Sequence, residues 1–223
     1  ALRLALLAPY EHDRAAQKQE KRLLEEHWGD WARCVAVLPR SHARSLADYL
    51  RVHPGDFRGA VVRLRPELRG LYLSVYQSHL WNHMLSRWLS EHFPISQLRE
   101  VRLRLGTAMF HIECQADQLE RLTALNLPLP SARLKLEAEH PLASLINGVL
   151  AEENLTLPEM RIRGVRDLFF SRGERAAVCL PAELNAEFGR DELHNGRQKL
   201  TLEFTLGRGS YATMIVKGIF HHS

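Results

Sequence analysis

The spacing of apolar residues divides the chain into a helical first part and a strand-rich last part. Over the first hundred residues, apolar side chains recur every three or four positions, as they do on one face of an amphipathic helix. This pattern predicts helices over residues 14–27, 41–53, 55–70 and 71–93. Asp13 and Ser41 are the expected N-caps of the first two helices, and Pro94 is expected to end the fourth.

Further along the chain the apolar spacing changes to two, which is typical of a strand with one buried face. Residues 101–105 alternate aliphatic side chains with arginine, and residues 108–114 can pair with them across a Gly106-Thr107 turn. Residues 200–206 alternate leucine or phenylalanine with threonine or glutamate. We therefore expect an α+β fold, with a boundary near residue 160 between a helical region and a sheet region.

Composition narrows the class of protein only a little. The 223 residues include no apolar run of the roughly 18 residues that argue for a transmembrane helix. Three widely separated cysteines fit buried thiols in a reducing cytoplasm better than a disulfide framework. The net charge of +4 and the pI of about 9.2 favour a polyanionic partner weakly. We predict a cytoplasmic protein that does not contact a membrane.

The predicted helix from Leu71 carries a polar residue beside its apolar stripe. Leu73, Tyr76, Leu80 and Met84 share one face, and Gln77 lies at the margin of that face. A buried amide needs hydrogen-bond partners, so Gln77 should bond to the backbone of a neighbouring loop. A core helix with one satisfied polar residue explains this pattern without any functional role.

The last predicted helix follows a glycine-rich turn. Gly207 and Gly209 bracket Arg208, and Ser210 can cap a helix over residues 211–217 that ends at Gly218. Backbone N–H groups at such a helix start suit a phosphate, and Tyr211 adds an aromatic face for stacking. A plain strand–turn–helix corner with an exposed arginine remains the simpler alternative.

Two further clusters are candidate sites. His79 and His83 are four residues apart, the spacing of helical metal ligands, but no accompanying glutamate pattern supports a metal site, and we expect none. Arginines are concentrated near the expected boundary, where they can form the basic wall of an RNA-binding cleft or be scattered over the surface. They are Arg161, Arg163, Arg166, Arg172 and Arg175.

Taken together, these segments resemble the TruD family of RNA pseudouridine synthases. Residues 76–82 are similar to the tyrosine–glutamine–serine helix of that family's inserted domain, and residues 209–213 to the loop before its final helix. Residues 129–131 stand at the place of a Leu-Pro-Gly element, and residues 172–175 resemble an arginine-bearing strand of the catalytic domain. The resemblance covers roughly residues 60–223, in matching order and spacing.

The resemblance implies an enzyme that converts uridine to pseudouridine in RNA, most simply tRNA, without a cofactor. It implies a TRUD-type insert domain with a preceding helical segment over residues 1–162, and the carboxy-terminal part of the catalytic domain over residues 163–223. Residues near the substrate or its phosphates would be Tyr211, Arg208, Ser210, Lys217, Arg172 and Arg175. Residues that stabilise the insert domain or its junction would be Gln77, Ser78 and Asn82.

The chain departs from the family pattern at the catalytic aspartate. The Gly-x-Lys-Asp-x-x-Ala setting of that residue is absent, and Asp56 lies in a different context that predicts a helix cap or turn. We therefore expect the chain to begin part-way through the catalytic domain and to be inactive by itself. An amino-terminal segment, either of the same protein or of a separate partner, would supply the aspartate. A non-catalytic RNA-binding module derived from the same family is the alternative, and a protein-interaction domain is a third.

Overall fold

The computed structural model describes residues 2–7, 12–103, 106–165, 168–207 and 210–221. The chain divides into two compact units. The first unit comprises Ala1–His111 and Pro128–Glu174, and the second comprises Ile112–Leu127 and Arg175–Ser223. Long helices combined with small antiparallel sheets confirm the α+β class.

The first unit is mainly helical. Its helices are α1 (Leu2–Leu7), α2 (Ala15–Glu26), α3 (Trp31–Val37), α4 (His42–Val52), α5 (Phe57–Val62), α6 (Pro66–His92) and α8 (Ala143–Glu152). A hairpin of strands β1 (Leu98–Leu103) and β2 (Gly106–His111) follows α6. The register pairs Leu98 with His111 and Leu103 with Gly106.

The second unit contains α7 (Ala116–Ala124), the antiparallel hairpin of β5 (Ala182–Arg190) and β6 (Gln198–Thr205), and α9 (Ala212–His221). Two three-residue strands, β3 (Asn126–Pro128) and β4 (Glu174–Ala176), pair where the chain passes from one unit to the other. In β6 the predicted alternation is confirmed, because Leu200, Leu202 and Phe204 are half-buried and their neighbours are exposed.

Helix α6 is the longest element of the first unit. Pro66 occupies its first position, where a missing N–H costs nothing, and Glu67 interacts favourably with the helix dipole in the first turn. The helix ends at His92 because Phe93 precedes Pro94 and adopts an extended conformation. At 1.5 Å per residue its 27 residues span about 40 Å, so one helix contacts both α8 and β2.

Two buried regions hold the first unit together. One lies among α2, α3 and α4, and its largest fully enclosed residues are Cys34 and Leu50. The other lies where α6 packs on α8, and Leu80, Met84 and Ile146 are completely shielded from solvent there. The predicted apolar face of α6 is thus confirmed at Tyr76, Leu80 and Met84.

Several predicted boundaries were wrong. Residues 55–70 form the short α5 and then the start of α6 at Pro66, because the residue before a proline favours an extended conformation and interrupts the helix. Gly70 lies inside α6, where one glycine costs only about 1 kcal/mol. The strand expected over 108–114 is β2, which already begins at Gly106, so the predicted Gly106-Thr107 turn belongs to the strand.

Two predicted helix ends also differ. Arg14 occupies the N-cap position of α2 that Asp13 was expected to fill, because the Asp13 carboxylate forms an ion pair with Lys21. Helix α9 continues through Gly218 to His221, since an interior glycine is only mildly unfavourable. Ser41, by contrast, caps α4 as predicted and accepts a hydrogen bond from the Arg44 N–H.

The expected domain boundary between residues 162 and 163 stays a prediction, because the division into compact units does not identify an insert. Within the described residues, no helix combines the length and the apolar character needed to cross a membrane. The three cysteines are free thiols, and the expected burial holds for Cys34 but is wrong for Cys114 and Cys179, which are half-buried.

The contact between α6 and α8 should contribute strongly to the stability of the first unit. Ile146 is fully buried in α8, so Ile146→Ala should lower the free energy of unfolding by about 2–5 kcal/mol through lost burial and a cavity. Ile95 is 76% exposed, and the matched Ile95→Ala variant should change stability by less than about 0.5 kcal/mol. Urea unfolding of both variants measures the difference, and equal losses would contradict this core assignment.

Candidate functional site

The Gln77 side chain joins two loops that are far apart in sequence. It is only 4% exposed on α6. Its Nε2 donates to the Pro130 carbonyl at 3.0 Å and to the Ser171 carbonyl at 2.9 Å, and its Oε1 accepts from the Ser171 N–H at 3.2 Å. The predicted bonding of this buried amide to loop backbone is confirmed.

The same two loops are also bonded to each other. The Leu129 N–H donates to the Gly173 carbonyl at 2.8 Å. Gly173 has a φ of +123°, a conformation that an L side chain rarely adopts, so glycine suits this turn. Ser131 is buried at 2% exposure beside the anchored Pro130. Residues 129–131 and the Arg172-Gly173 turn therefore form one structural unit held by Gln77.

A second polar contact fixes α6 against the end of α8. Glu153 caps α8, and Asn154 follows with a φ of +53°. The Leu155 N–H reaches the Leu150 carbonyl at 2.9 Å, which completes the helix-ending arrangement known as a Schellman motif. The motif fixes the backbone at Glu153, and the Glu153 carboxylate lies against α6. The motif thus sets the position of a charged side chain.

The Glu153 carboxylate meets two aromatic side chains of α6. Tyr76 donates to it at 3.3 Å, and His79 Nε2 lies 3.2 Å from its other oxygen. Burial, together with the Glu153 charge, raises the pKa of Tyr76 to about 12, so its hydroxyl stays protonated and donates. At neutral pH the Tyr76 hydroxyl is therefore the donor and the Glu153 carboxylate the acceptor of this hydrogen bond.

The predicted helical pair His79 and His83 is brought together, with ring centroids 4.2 Å apart. Burial lowers the pKa of His83, and the neighbouring His79 lowers it further, against the opposing effect of Glu152 and Glu153. Among the described residues, no three histidine, cysteine or acidic side chains are placed to hold a metal ion. Ser78 and Asn82 are half-buried on the same helix.

In the second unit, the structure brings together two of the predicted site residues. The Arg175 guanidinium carbon lies 5.8 Å from the centroid of the Tyr211 ring, within the range of a cation–π contact. Tyr211 is 55% exposed and immediately precedes α9, and its carbonyl accepts from the Met214 N–H. An exposed aromatic ring with a guanidinium beside it can stack on a base and attract a phosphate.

Of the other predicted site residues, the structure describes some in full and others in part or not at all. Ser210 is half-buried, and its N–H donates to the Gly207 carbonyl at 3.2 Å, which closes the turn before Tyr211. Arg208 lies outside the described residues, as does the side chain of Lys217. Arg172 is exposed. Their proposed contacts with RNA stay predictions.

The expected arginine wall is described in part. Arg161 and Arg163 are exposed, and Arg166 lies outside the described residues. The Arg163 carbonyl accepts a hydrogen bond from Arg58 at 3.0 Å. Whether these side chains contact RNA stays a prediction.

Asp56 has the structural role that its sequence context predicts. It is the N-cap of α5 and accepts from the Gly59 N–H at 2.8 Å. That bond, followed by the hydrogen bond from the Tyr49 hydroxyl, lowers the pKa of the Asp56 carboxyl. Both acceptor oxygens are thus engaged locally, as expected of a cap.

Sequence reasoning missed two contacts in the first unit. Glu153 has no motif around it, and only its place at the end of a predicted helix could have drawn attention to it. The Arg133 guanidinium lies 5.5 Å from the centroid of the exposed Phe169 ring. The adjacent pair Phe169-Phe170 was the available signal, because neighbours in an extended segment point to opposite sides.

Comparison with known proteins identifies the class to which this fold and these segments belong. A family model described as tRNA pseudouridine synthase D (TruD) matches residues 1–219. The chain therefore belongs to the TruD family, and the match extends the resemblance to the first sixty residues as well.

Individual relatives agree with this class. The chain is 28% identical over 222 residues to the "Probable tRNA pseudouridine synthase D 1" of Methanococcus maripaludis, covering 97% of this chain and 56% of that protein. It is 26% identical to the "Probable tRNA pseudouridine synthase D 2" of Methanocaldococcus jannaschii, covering 99% of this chain and 53% of the relative. The chain thus spans about half the length of these curated relatives.

A solved structure shows the same fold. It is provisionally named a tRNA pseudouridine synthase D (TruD) from Methanosarcina mazei, and it superposes with a TM-score of 0.63 at 22% sequence identity. The superposition covers 97% of this chain and 53% of that one.

Replacing Gln77 should loosen the two loops that it joins. Gln77→Met keeps the shape of the side chain but leaves two carbonyls and one N–H without partners, so it should destabilise the chain by about 2–4 kcal/mol. Gln198 is exposed, and Gln198→Met is the matched control. Thermal unfolding and hydrogen exchange at the N–H groups of Leu129 and Ser171 measure the effect. Equal behaviour of the two variants would contradict the anchoring role.

The half-buried His83 should make stability depend on pH. Its pKa in the folded chain lies below the ordinary value of 6.5, so the unfolded chain binds the proton first and stability falls as the pH drops through this window. Between about pH 7.5 and about pH 5.5, His83→Asn should show a smaller loss of unfolding free energy than the parent chain. Urea unfolding at both pH values measures this. Identical pH dependence would show that His83 has no part in it.

Proposed function

We propose that this chain provides the tRNA-binding part of a tRNA pseudouridine synthase, and that Tyr211 stacks on the target uridine after it leaves the RNA helix. The observation that carries the proposal is the Arg175–Tyr211 pair, an exposed aromatic ring with a guanidinium 5.8 Å from its centroid. Membership of the TruD family and the names of the relatives support the substrate class.

The chemistry of the reaction explains why such a pair is useful. In pseudouridine formation, the bond between the base nitrogen and the sugar breaks, the base rotates, and a carbon–carbon bond forms as the base carbon loses its proton. A stacked, paired uridine gives no access to the sugar carbon, so the nucleotide must be extruded. An aromatic face replaces the lost base stacking, while a guanidinium can neutralise the adjacent phosphate.

Other predicted site residues fit supporting roles in this proposal. Ser210 closes the turn that presents Tyr211, and Arg208 and Lys217 would add positive charge near the phosphates. Arg172 follows the loop that Gln77 anchors. Gln77 acts as a positioning residue, and Ser78 and Asn82 would stabilise the same helix.

We further infer that the chain is inactive by itself. The reaction requires a carboxylate as nucleophile or base, and the family's aspartate setting does not occur in these 223 residues. Asp56 caps a helix and so does not supply the missing group. The carboxylate would have to come from a further segment.

The binding role of Tyr211 can be tested with an unmodified tRNA transcript. Tyr211→Ala should weaken binding about tenfold, since stacking on one base contributes about 1–3 kcal/mol, and Tyr211→Phe should bind as the parent does. Fluorescence anisotropy measures the dissociation constants. In a longer protein that carries the aspartate, Tyr211→Ala should also reduce turnover strongly.

Two results would overturn the proposal. Unchanged tRNA affinity of Tyr211→Ala would refute stacking at this residue. Detection of pseudouridine in tRNA after incubation with the 223-residue chain alone would refute the inferred inactivity. Circular dichroism of each variant serves as the folding control.

A further inference from the structure

The first unit carries a second exposed aromatic ring paired with an arginine. Phe169 is 58% exposed, and the Arg133 guanidinium carbon lies 5.5 Å from its ring centroid. Both residues belong to the first compact unit, whereas Arg175 and Tyr211 belong to the second. The Phe169–Arg133 pair therefore needs an explanation of its own.

The backbone on either side of Phe169 is fixed. Leu168 and Phe170 are buried, at 4% and 8% exposure, and the Phe170 ring contacts the ring of Tyr76. Ser171 is bonded to Gln77 through both its N–H and its carbonyl. Because Phe169 lies between two buried neighbours, its ring is held outward while theirs are held inward.

Arg133 is positioned through the same anchor. It follows Pro130, whose carbonyl accepts from Gln77, and Ser131, which is 2% exposed. The Ser131 carbonyl accepts from the Leu134 N–H at 3.0 Å, which forms a turn around Arg133. One buried amide thus places both members of the pair, so little side-chain and loop ordering would be needed on binding.

The charge near the ring indicates what it can bind. Residues 160–172 contain four arginines and one aspartate. Within the described part of the chain, neither Arg133 nor Arg161, Arg163 or Arg172 forms an ion pair with a carboxylate. Isolated exposed apolar side chains are common and need no explanation. An exposed ring beneath a guanidinium that has no acidic partner is more specific than such an isolated side chain. The ring can stack on a base, and the guanidinium can contact the phosphate joined to that base.

We propose that Phe169 and Arg133 form a second nucleotide subsite, in which an unpaired base of the RNA stacks on the Phe169 ring and Arg133 contacts the phosphate beside it. The subsite rests on the proposed tRNA-binding function and deepens it, since it would hold a nucleotide other than the one at Tyr211. Stacking is tolerant of base identity, so the subsite recognises an unpaired nucleotide rather than a sequence.

Photo-crosslinking tests the subsite directly. The 223-residue chain is irradiated with an unstructured oligoribonucleotide containing 5-iodouridine, a base that crosslinks to aromatic side chains stacked on it, and the attached peptides are identified by mass spectrometry. We expect crosslinks at Phe169 and at Tyr211. Phe169→Leu, which keeps an apolar side chain without a ring, should remove only the first.

Failure of the second subsite and failure of the proposed function give different crosslinking results. Crosslinking at Tyr211 with none at Phe169 overturns the second subsite and leaves the proposed function standing. Crosslinking at neither residue overturns both proposals. Crosslinking at Phe169 that persists in Arg133→Gln, with unchanged affinity, removes Arg133 from the subsite.

Affinity measurements provide the matched control. Phe169→Ala should weaken binding of the same oligoribonucleotide about tenfold, and Phe169→Tyr should bind as the parent does. Phe188 is 78% exposed, and no arginine lies over its ring among the described residues, so Phe188→Ala should leave affinity unchanged. Equal effects of the two alanine variants overturn the subsite. If sedimentation shows that the parent chain self-associates and that Phe169→Ala abolishes this while RNA affinity is unchanged, Phe169 is a protein contact and the subsite is overturned.

Discussion

The local structure of the first unit depends on the three hydrogen bonds of Gln77. A buried amide is unfavourable unless its donors and acceptor are satisfied, and here the partners come from loops 53 and 94 residues further along the chain. Any arrangement that separates these loops leaves polar groups buried without partners. The constraint therefore specifies one loop geometry more strictly than apolar packing could.

The contact of α6 with α8 works in a comparable way through Glu153. Apolar burial at Leu80, Met84 and Ile146 provides most of the attraction between the helices, but it does not set the rotation of one helix on the other. The Tyr76 and His79 contacts with Glu153 do set it, because hydrogen bonds are directional. Helix α6 is thus oriented on one side by a carboxylate and anchored to loops by an amide.

Local patterns predicted much of this fold from the sequence. Helix α4 with its Ser41 cap, the apolar face of α6 and the alternation of β6 all follow from residue spacing, and the need of Gln77 for loop backbone follows from its place beside that face. Gly70 and Gly218 misled the prediction of helix ends, because a glycine permits a stop without requiring one. Pro66 was the stronger signal, since it excludes an ordinary helix interior.

Long-range partners could not be predicted in the same way. The residues that meet Glu153 lie more than 70 positions away, and no spacing rule connects them. The same holds for Arg133 and Phe169, whose loops are brought together by Gln77 and by the hydrogen bond from Leu129 to Gly173. The family resemblance, in turn, indicated Tyr211 and Arg175 as site residues but did not indicate that they contact each other.

We propose that this chain binds tRNA through arginines that contact phosphates. The most direct test is the affinity of the 223-residue chain for a tRNA transcript as a function of salt concentration, since each neutralised phosphate releases counterions. We expect binding at low salt, and the logarithm of the binding constant should fall steeply and linearly with the logarithm of the salt concentration. Absence of binding at low salt, or an affinity that does not change with salt, would contradict it.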